Sequence, residues 1–416
     1  MTQLILSCRA ERIGLAPNAA AKARAQALAA SGRSIVELTA GEPDFDTPAS
    51  IKQAAIDALA AGDTKYTPPA GTADLRAAIR DKLARENGLD YPAERIIVGS
   101  GGKHVIYNAF AATLRKGDEV IVPAPFWQSF PAMVSINDGT PVTVASGAED
   151  GYKLTPARLE AAITPRTRWL ILNTPSNPSG AVYGIDELAA LGKVLRRHPH
   201  VWVLLDEIYE HIRFDDGARD HFLRLAPDLA DRTLIVNGAS KPYAMTGWRV
   251  GYGAGPTELI RAMTVVQSQS TSSPSSIGQA ALAAALRGDQ AFVASSVAAY
   301  RERRDLLLDA FAKIDGVRCV PPQGAFFAFV DVSALIGATT PEGETIASDI
   351  NLVAHLLYAH GLAVVDGTSF GTPDHIRLSM VADSATLAEG VARLAFAVAG
   401  LRRAPSDVVS PQREAA

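Results

Sequence analysis

The stretch Val201-Trp202-Val203-Leu204-Leu205-Asp206-Glu207-Ile208-Tyr209 sets five apolar residues directly before two acidic ones. An apolar run of that length, rich in β-branched and aliphatic side chains, reads as a buried strand over 201–205. Working outward, residues 95–98, 119–122, 169–172 and 233–236 read the same way. Gly99-Ser100-Gly101-Gly102 follows the first of these and leads into a helix reaching about Leu114. The third ends in Asn173 and the last in Asn237. Strands alternating with helices predict an α/β fold with a mostly parallel sheet. In such sheets ligands bind beyond the carboxyl ends of the strands, which is where the glycines and polar residues fall. From about Asp309 the pattern changes to a strand over 324–330, a helix over 348–360 and strands over 362–365 and 376–380. The expected organisation is a large domain over 51–308, a smaller α+β domain over 309–401 and a segment, 1–50, joining the smaller one. The Pro-, Ser- and charge-bearing tail 402–416 is expected to fray.

Composition narrows the function. The chain has 416 residues, 48% of them hydrophobic and 20% charged, which is enough apolar material for a large core and excludes wholesale disorder. A net charge of −4 argues against nucleic acid or an anionic membrane as the main partner. Cys8 and Cys319 make no disulfide framework and lack metal-ligand spacing, so no metal is expected and a reducing compartment is. No run approaches the roughly 18 apolar residues of a membrane span, and Arg9, Glu11 and Arg12 interrupt any signal-like pattern. A cytoplasmic protein is the expectation. Residues 19–30 are Ala-rich and read as a helix stopped by Ser31-Gly32.

Several residues carry chemistry. Lys241, in Ser240-Lys241-Pro242-Tyr243-Ala244-Met245-Thr246-Gly247-Trp248-Arg249, follows a strand that reads as buried. Desolvation and neighbouring cations free a lysine's lone pair for Schiff-base chemistry, and Arg249 suits a phosphate; a surface lysine and a structural arginine are the plain alternative. Asp206 at a strand end is desolvated unless a cation such as a protonated pyridine nitrogen pairs with it; otherwise it caps a helix. Tyr209 and Asn177, the latter set between Pro175 and Pro178, offer hydrogen bonds to an oxygen on the same ring. Gly101 and Gly102 at a helix start suit one phosphate, and the loop lacks both nucleotide-binding glycine patterns. Trp127, after Pro123-Ala124-Pro125-Phe126, either stacks on a flat ring or belongs to the core. Arg377, in the apolar Ile376-Arg377-Leu378-Ser379, needs a carboxylate from a substrate or from an internal ion pair. Together they describe a pyridoxal phosphate site acting on an α-amino acid.

With these residues assembled, the chain resembles the class I aminotransferases of pyridoxal phosphate (PLP) fold type I, most closely the bacterial aspartate and aspartate/glutamate–prephenate branch. The likeness runs from about Arg12 to Leu401. It rests on Ala40-Gly41-Glu42-Pro43-Asp44-Phe45-Asp46-Thr47-Pro48, Lys65-Tyr66-Thr67-Pro68 leading to Gly71, Gly101-Gly102-Lys103, Asn177-Pro178, Asp206-Glu207-Ile208-Tyr209 and 240–249. The resemblance implies a mostly parallel seven-stranded sheet in the large domain. It implies Lys241 as the Schiff-base lysine and proton shuttle, Asp206 as partner of the pyridine nitrogen, Tyr209 and Asn177 at the ring oxygen, and Trp127 against the ring. Gly101, Gly102, Ser240 and Arg249 would hold the phosphate, with Tyr66 reaching the neighbouring subunit's phosphate in a homodimer. Gly41 and Arg377 match substrate positions, Arg377 on the α-carboxylate, and Lys103 remains for a distal one. The implied reaction is ping-pong transfer of an amino group from an L-amino acid, aspartate first, to 2-oxoglutarate. A transaminase for another amino acid or prephenate, or a PLP lyase on the same fold, is the alternative. One departure bears on the substrate. Where prephenate-accepting relatives typically carry Lys-Pro-Ser-x-Thr-like residues, this chain has Ala16-Pro17-Asn18-Ala19-Ala20, without the basic residue or the hydroxyl, and Arg12 replaces them only along a different local path. His104 and Gln128 also differ from that branch.

Overall fold

A computed structural model describes residues 7–14, 17–214 and 220–403 of the chain. The expected fraying tail lies outside the described residues except for its first two positions, as does Ala16.

The large sheet has seven strands. They are β2 (Ile96–Gly99), β3 (Glu119–Ala124), β4 (Thr140–Ala145), β5 (Thr167–Asn173), β6 (Trp202–Asp206), β7 (Thr233–Gly238) and β8 (Gly251–Ala254), β1 being Val36–Glu37 in the N-terminal segment. Their spatial order is β2-β8-β7-β6-β5-β3-β4. All neighbouring pairs are parallel except those of β8, which runs antiparallel to β2 and β7. The pleat explains the unbroken apolar runs. Leu170, Leu172, Val203, Leu205 and Ile235 pack on one face of the sheet, and Trp169, Ile171, Leu204, Leu234 and Val236 on the other. Helices cover both faces, so no strand has a polar side to show.

A second core lies in the C-terminal part, around a four-stranded antiparallel sheet of β12 (Val365–Asp366), β13 (His375–Ser379), β10 (Phe327–Asp331) and β9 (Arg318–Cys319). β1 adds to this part by parallel pairing with β11 (Leu362–Ala363). The helix Ala291–Phe311 is continuous and packs against the helix Ser384–Gly400 of the second core.

Most elements match the sequence reading, with informative differences. The stretch 362–365 does not form one strand: Leu362–Ala363 pairs with β1 and Val365–Asp366 with β13, so the chain changes partner at Val364. The strand expected from 324 starts at Phe327, because Ala325 takes a positive φ of 56° and Gly324 bridges Arg213 instead. Two strands of the large sheet were not foreseen, nor were the two-residue β1 and β9. β4 is an edge strand carrying Pro141 and partly exposed along its length. β8 reads Gly-Tyr-Gly-Ala, with neither β-branching nor an apolar run. Its glycines are there because the helix Gly102–Thr113 lies directly on it: a Cβ on Gly253 would stand 2.7 Å from Val105 Cγ1.

The second core takes in Tyr209, which follows the large-sheet strand β6, through a cluster of aromatic side chains. Phe326 is fully buried, with ring centroids 5.3 Å from Tyr209, 5.4 Å from Tyr300 and 4.8 Å from Phe327. Phe326→Ala is expected to cost about 3–5 kcal/mol in equilibrium urea denaturation. A loss below about 1 kcal/mol would show that this aromatic cluster does not support the second core.

Candidate active site

The parallel register lines up the carboxyl ends of the strands: Asn173 stands opposite Asp206, and Asp206 opposite Val236. Above them lies a cavity of about 220 Å³ whose lining includes Gly41, Gly102, Lys103, Trp127, Asn177, Asp206, Tyr209, Ser240, Lys241, Arg249 and Arg377. One cavity thus gathers eleven of the thirteen residues singled out from sequence. Gly101 adjoins it through the loop before Gly102. Tyr66 does not line it and is 92% exposed.

Asp206 is buried and accepts a hydrogen bond from the Ile208 N–H at 3.2 Å. Among the described residues no basic group lies within ion-pair distance of its carboxylate. Burial pushes its pKa up to about 7, against a smaller lowering by Lys241. Lys241 donates from Nζ to the Gly41 carbonyl oxygen at 2.6 Å. Burial brings its pKa down to about 8, Glu42 opposing that shift and Arg249 adding to it.

Arg377 carries the opposite problem. It is fully buried in β13, donating to Asn177 Oδ1 at 3.1 Å and to the Thr39 carbonyl at 2.8 Å. Its guanidinium carbon lies 4.3 Å from the Phe327 ring centroid and 4.9 Å from that of Phe370. Its Nε is buried without a hydrogen-bond partner, and among the described residues no carboxylate pairs with it. Desolvation lowers its pKa to about 10. Asn177 is oriented by its own N–H, which donates to Asn173 Oδ1 at 2.9 Å. Tyr209 is buried against Phe326 and Phe327, and burial raises its hydroxyl pKa.

At the other end, Gly101 has φ 91° and directly precedes the helix Gly102–Thr113, whose first N–H groups have no intrahelical partner and whose first residue lines the cavity; the Gly101 N–H itself donates to the Gly99 carbonyl at 2.7 Å. A Cβ at Gly101 would collide with the Arg249 guanidinium. Arg249 is itself in the left-handed region, φ 54°, and donates to the carbonyls of Thr246 at 2.8 Å and Ser100 at 3.3 Å. His104 Nδ1 accepts the Ser100 N–H at 3.1 Å, so this residue braces the glycine loop. Lys103 Nζ sits 4.7 Å from the Trp127 ring centroid, its pKa lowered by desolvation and by Arg249. Arg12 is turned away, paired with Asp138 at 2.8 Å.

This set fits the PLP implied by the resemblance. A buried acid lacks a cation, a buried guanidinium has an orphaned N–H, and a glycine cradle faces an arginine at a helix start. The sequence reading missed Asn173, Ile106, Ile208 and Thr246, which also line the cavity. Asn173 could have been found by the strand-end rule that picked Asp206. The backbone oxygens of Thr39 and Gly41 have no sequence signal.

Comparison with known proteins agrees. The aminotransferase class I and II family model matches residues 33–394. The aspartate/prephenate aminotransferase of Cereibacter sphaeroides is 52% identical over 378 residues, 91% of this chain and 94% of that protein. The aspartate aminotransferase of Rhizobium meliloti is 49% identical over 389 residues, 94% and 95% of the two chains. A crystal structure of aspartate aminotransferase from Rhizobium meliloti superposes with a TM-score of 0.94 at 47% identity, covering 96% of this chain and all 100% of that one. The Thermus thermophilus aspartate aminotransferase with maleate gives 0.89 at 42% identity, covering 95% and 100%. The chain belongs to the class I and II aminotransferases and is a PLP-dependent transaminase.

Proposed function

We propose that this transaminase takes the amino group of L-aspartate and passes it to 2-oxoglutarate by a ping-pong route. The observation that carries the reading is the pair of opposite buried charges facing one cavity, Asp206 and Arg377. They suit a ligand set bearing a cationic ring nitrogen and an α-carboxylate. When bound, PLP supplies an electron sink that stabilises negative charge on the substrate Cα.

The chain's own residues do the rest. Asp206 holds the ring nitrogen in its protonated form. Asn177 and Tyr209 donate to the ring oxygen, and Trp127 packs against the ring. The turn at Gly101, whose own N–H donates to the Gly99 carbonyl at 2.7 Å, would present the Gly102 N–H, and with the Ser240 hydroxyl and Arg249 it would hold the phosphate. Arg377 clamps the α-carboxylate, with the Gly41 backbone beside it. Burial brings the Lys241 pKa down to about 8, so that near neutral pH part of its amine is unprotonated; that amine would hold the cofactor's aldehyde carbon and, once released, carry the Cα proton. Lys103 is the remaining cation for a side-chain carboxylate, which favours a dicarboxylate; the Thermus relative's structure carries maleate, itself a four-carbon dicarboxylate. Prephenate is a second reading, favoured by the name of the Cereibacter relative.

The reading extends to the assembly. Residues 51–308 form the cofactor-bearing unit and 309–401 the smaller one, with 1–50 joining it. Two chains form a homodimer in which Tyr66, exposed on the single chain, reaches the partner's phosphate. The enzyme works in the cytoplasm, consistent with the free Cys8 and Cys319. Among the described residues no helix is long and apolar enough to cross a membrane.

The test is a half-reaction. L-aspartate alone is expected to convert the bound cofactor to its amine form, followed by absorbance, with oxaloacetate released and 2-oxoglutarate restoring the spectrum. Lys241→Ala abolishes this while keeping the fold. Release of ammonia and pyruvate instead would make the protein a lyase.

Arg377→Ala is expected to raise KM for both amino acid and oxo acid by about 10²-fold, the loss of a charge-assisted bidentate contact. Unchanged constants would remove Arg377 from the carboxylate site.

Asp206 also ties stability to pH. Its folded pKa, about 7, lies above the ordinary value of 3.8, so the folded PLP-free protein holds the proton that the unfolded chain gives up. This contribution is neutral below the lower value and becomes destabilising as pH rises through the window to about 7. Asp206→Asn is therefore expected to stabilise the PLP-free protein above pH 7 by a few kcal/mol while weakening PLP binding. Equal denaturation midpoints for variant and wild type at pH 8 would show that Asp206 is not desolvated as described.

A further inference from the structure

We propose that Glu210 and Asn237 are positioning residues for the reaction: the hydrogen bond between them fixes the turn carrying Asp206 and Tyr209 against the strand end that delivers Ser240 and Lys241. The proposal rests on the active-site reading above and adds two residues that do not line the cavity.

The geometry is specific. Glu210 immediately follows Tyr209, and Asn237 lies in β7 just before Gly238-Ala239-Ser240-Lys241. Asn237 is buried, and its Nδ2 donates to Glu210 Oε1 at 2.8 Å. Its Oδ1 accepts the Gly238 N–H at 2.7 Å, so the amide is held at both ends and its orientation is set. The contact joins the base of one active-site segment directly to the base of the other.

Glu210 is anchored in turn. Its Oε1 is ion-paired with Lys82, and its Oε2 accepts from Asn87 Nδ2 at 3.0 Å. Lys82, at the end of the helix Ala73–Lys82, is fully buried and also donates to Asn87 Oδ1 at 2.9 Å. The other ionisable groups facing Glu210 are Glu86, 3.6 Å from Lys82, His211, and the phenols of Tyr243 and Tyr252. Burial pushes the Glu210 pKa up, but Lys82 and His211 outweigh it and hold the carboxylate below the usual carboxylate range. Glu86, Glu210 and His211 converge closely enough to suggest a cation site, but the Lys82 ammonium already serves both carboxylates.

A buried ion pair contributes little net stability but defines geometry where its partners are fully hydrogen-bonded. Here it fixes the acceptor that Asn237 needs. Small displacements of Asp206 relative to Lys241 change the electrostatics at the cofactor more than they change the fold.

The test uses the full-length protein stripped of PLP and titrated with it. Asn237→Leu breaks the joint and leaves the Lys82–Glu210 pair intact. It is expected to keep the wild-type circular dichroism and to raise the PLP Kd on the order of tenfold. The absorbance pKa of the bound cofactor is expected to move by about half a unit or more, and kcat to fall with KM unchanged. Wild-type Kd and wild-type absorbance pKa in this variant would overturn the proposal. If Asn237→Leu does not fold, the double variant Lys82→Met/Glu210→Leu decides. It replaces the ion pair by apolar groups of similar volume, which proteins tolerate: a folded double variant with the wild-type titration overturns the proposal, and a folded one with a shifted titration supports it. Should that variant also fail to fold, Glu210→Gln, which keeps the shape and an acceptor for Asn237, is titrated: wild-type binding and titration support the joint, and a shifted titration overturns it. Failure of the wild-type protein itself to take up PLP would instead sink the active-site reading, a separate outcome.

Discussion

The desolvated carboxylate of Asp206 is the constraint around which the rest of the cavity is arranged. It stands at the end of a strand covered on both sheet faces, so water reaches it poorly and a positive charge must come from elsewhere. Arg377 repeats the problem with the opposite sign, between two aromatic rings and two oxygen acceptors. A protein bearing two such groups near each other without joining them holds electrostatic energy that a ligand of matching charge releases. Lys241 lines the same cavity, and there burial brings the pKa of its amine down to about 8 while its Nζ donates to a backbone carbonyl.

The glycines at the sheet edge serve the same end. Gly251 stands opposite both Gly99 and Gly238, and a Cβ there would lie 2.5 Å from the Gly102 amide nitrogen. The absence of side chains lets the helix N-terminus sit directly against the sheet, bringing its unpaired N–H groups beside Arg249. In the proposed phosphate site, close backbone approach would contribute alongside the arginine.

Much of this could be read in the residue order, for a physical reason. Buried parallel strands announce themselves as apolar runs, and ligand chemistry collects where those runs end; Asp206, Asn173 and Lys241 are all visible that way. β8 was invisible because close helix packing demanded glycine in place of strand-forming residues. The break at Val364 was invisible because a change of hydrogen-bond partner leaves no mark on hydrophobicity. Asn237 and Glu210 were separate polar residues until folding brought them together, and the carbonyls of Thr39 and Gly41 belong to the backbone, which every residue shares. Tyr66 was named from a motif, and its place on the outer surface of a single chain says nothing of its own about a phosphate.

The run from Leu38 to Trp248's partner Thr47 is tied on two sides. Toward the second core, the Leu38 carbonyl accepts from Ser379 N at 2.9 Å, the Thr39 carbonyl accepts from Arg377, and Asp44 makes a two-pronged pair with Arg303 at 2.9 and 2.8 Å. Toward the lysine loop, Gly41 accepts from Lys241, Glu42 from Thr246 at 3.0 Å, and Thr47 donates to the Ala244 carbonyl at 2.6 Å. A tether gripped at both ends transmits displacement. Any rotation of the C-terminal core against the large sheet therefore pulls on the very oxygen that the lysine amine holds, making the mobility of one part and the freedom of that amine a single mechanical variable.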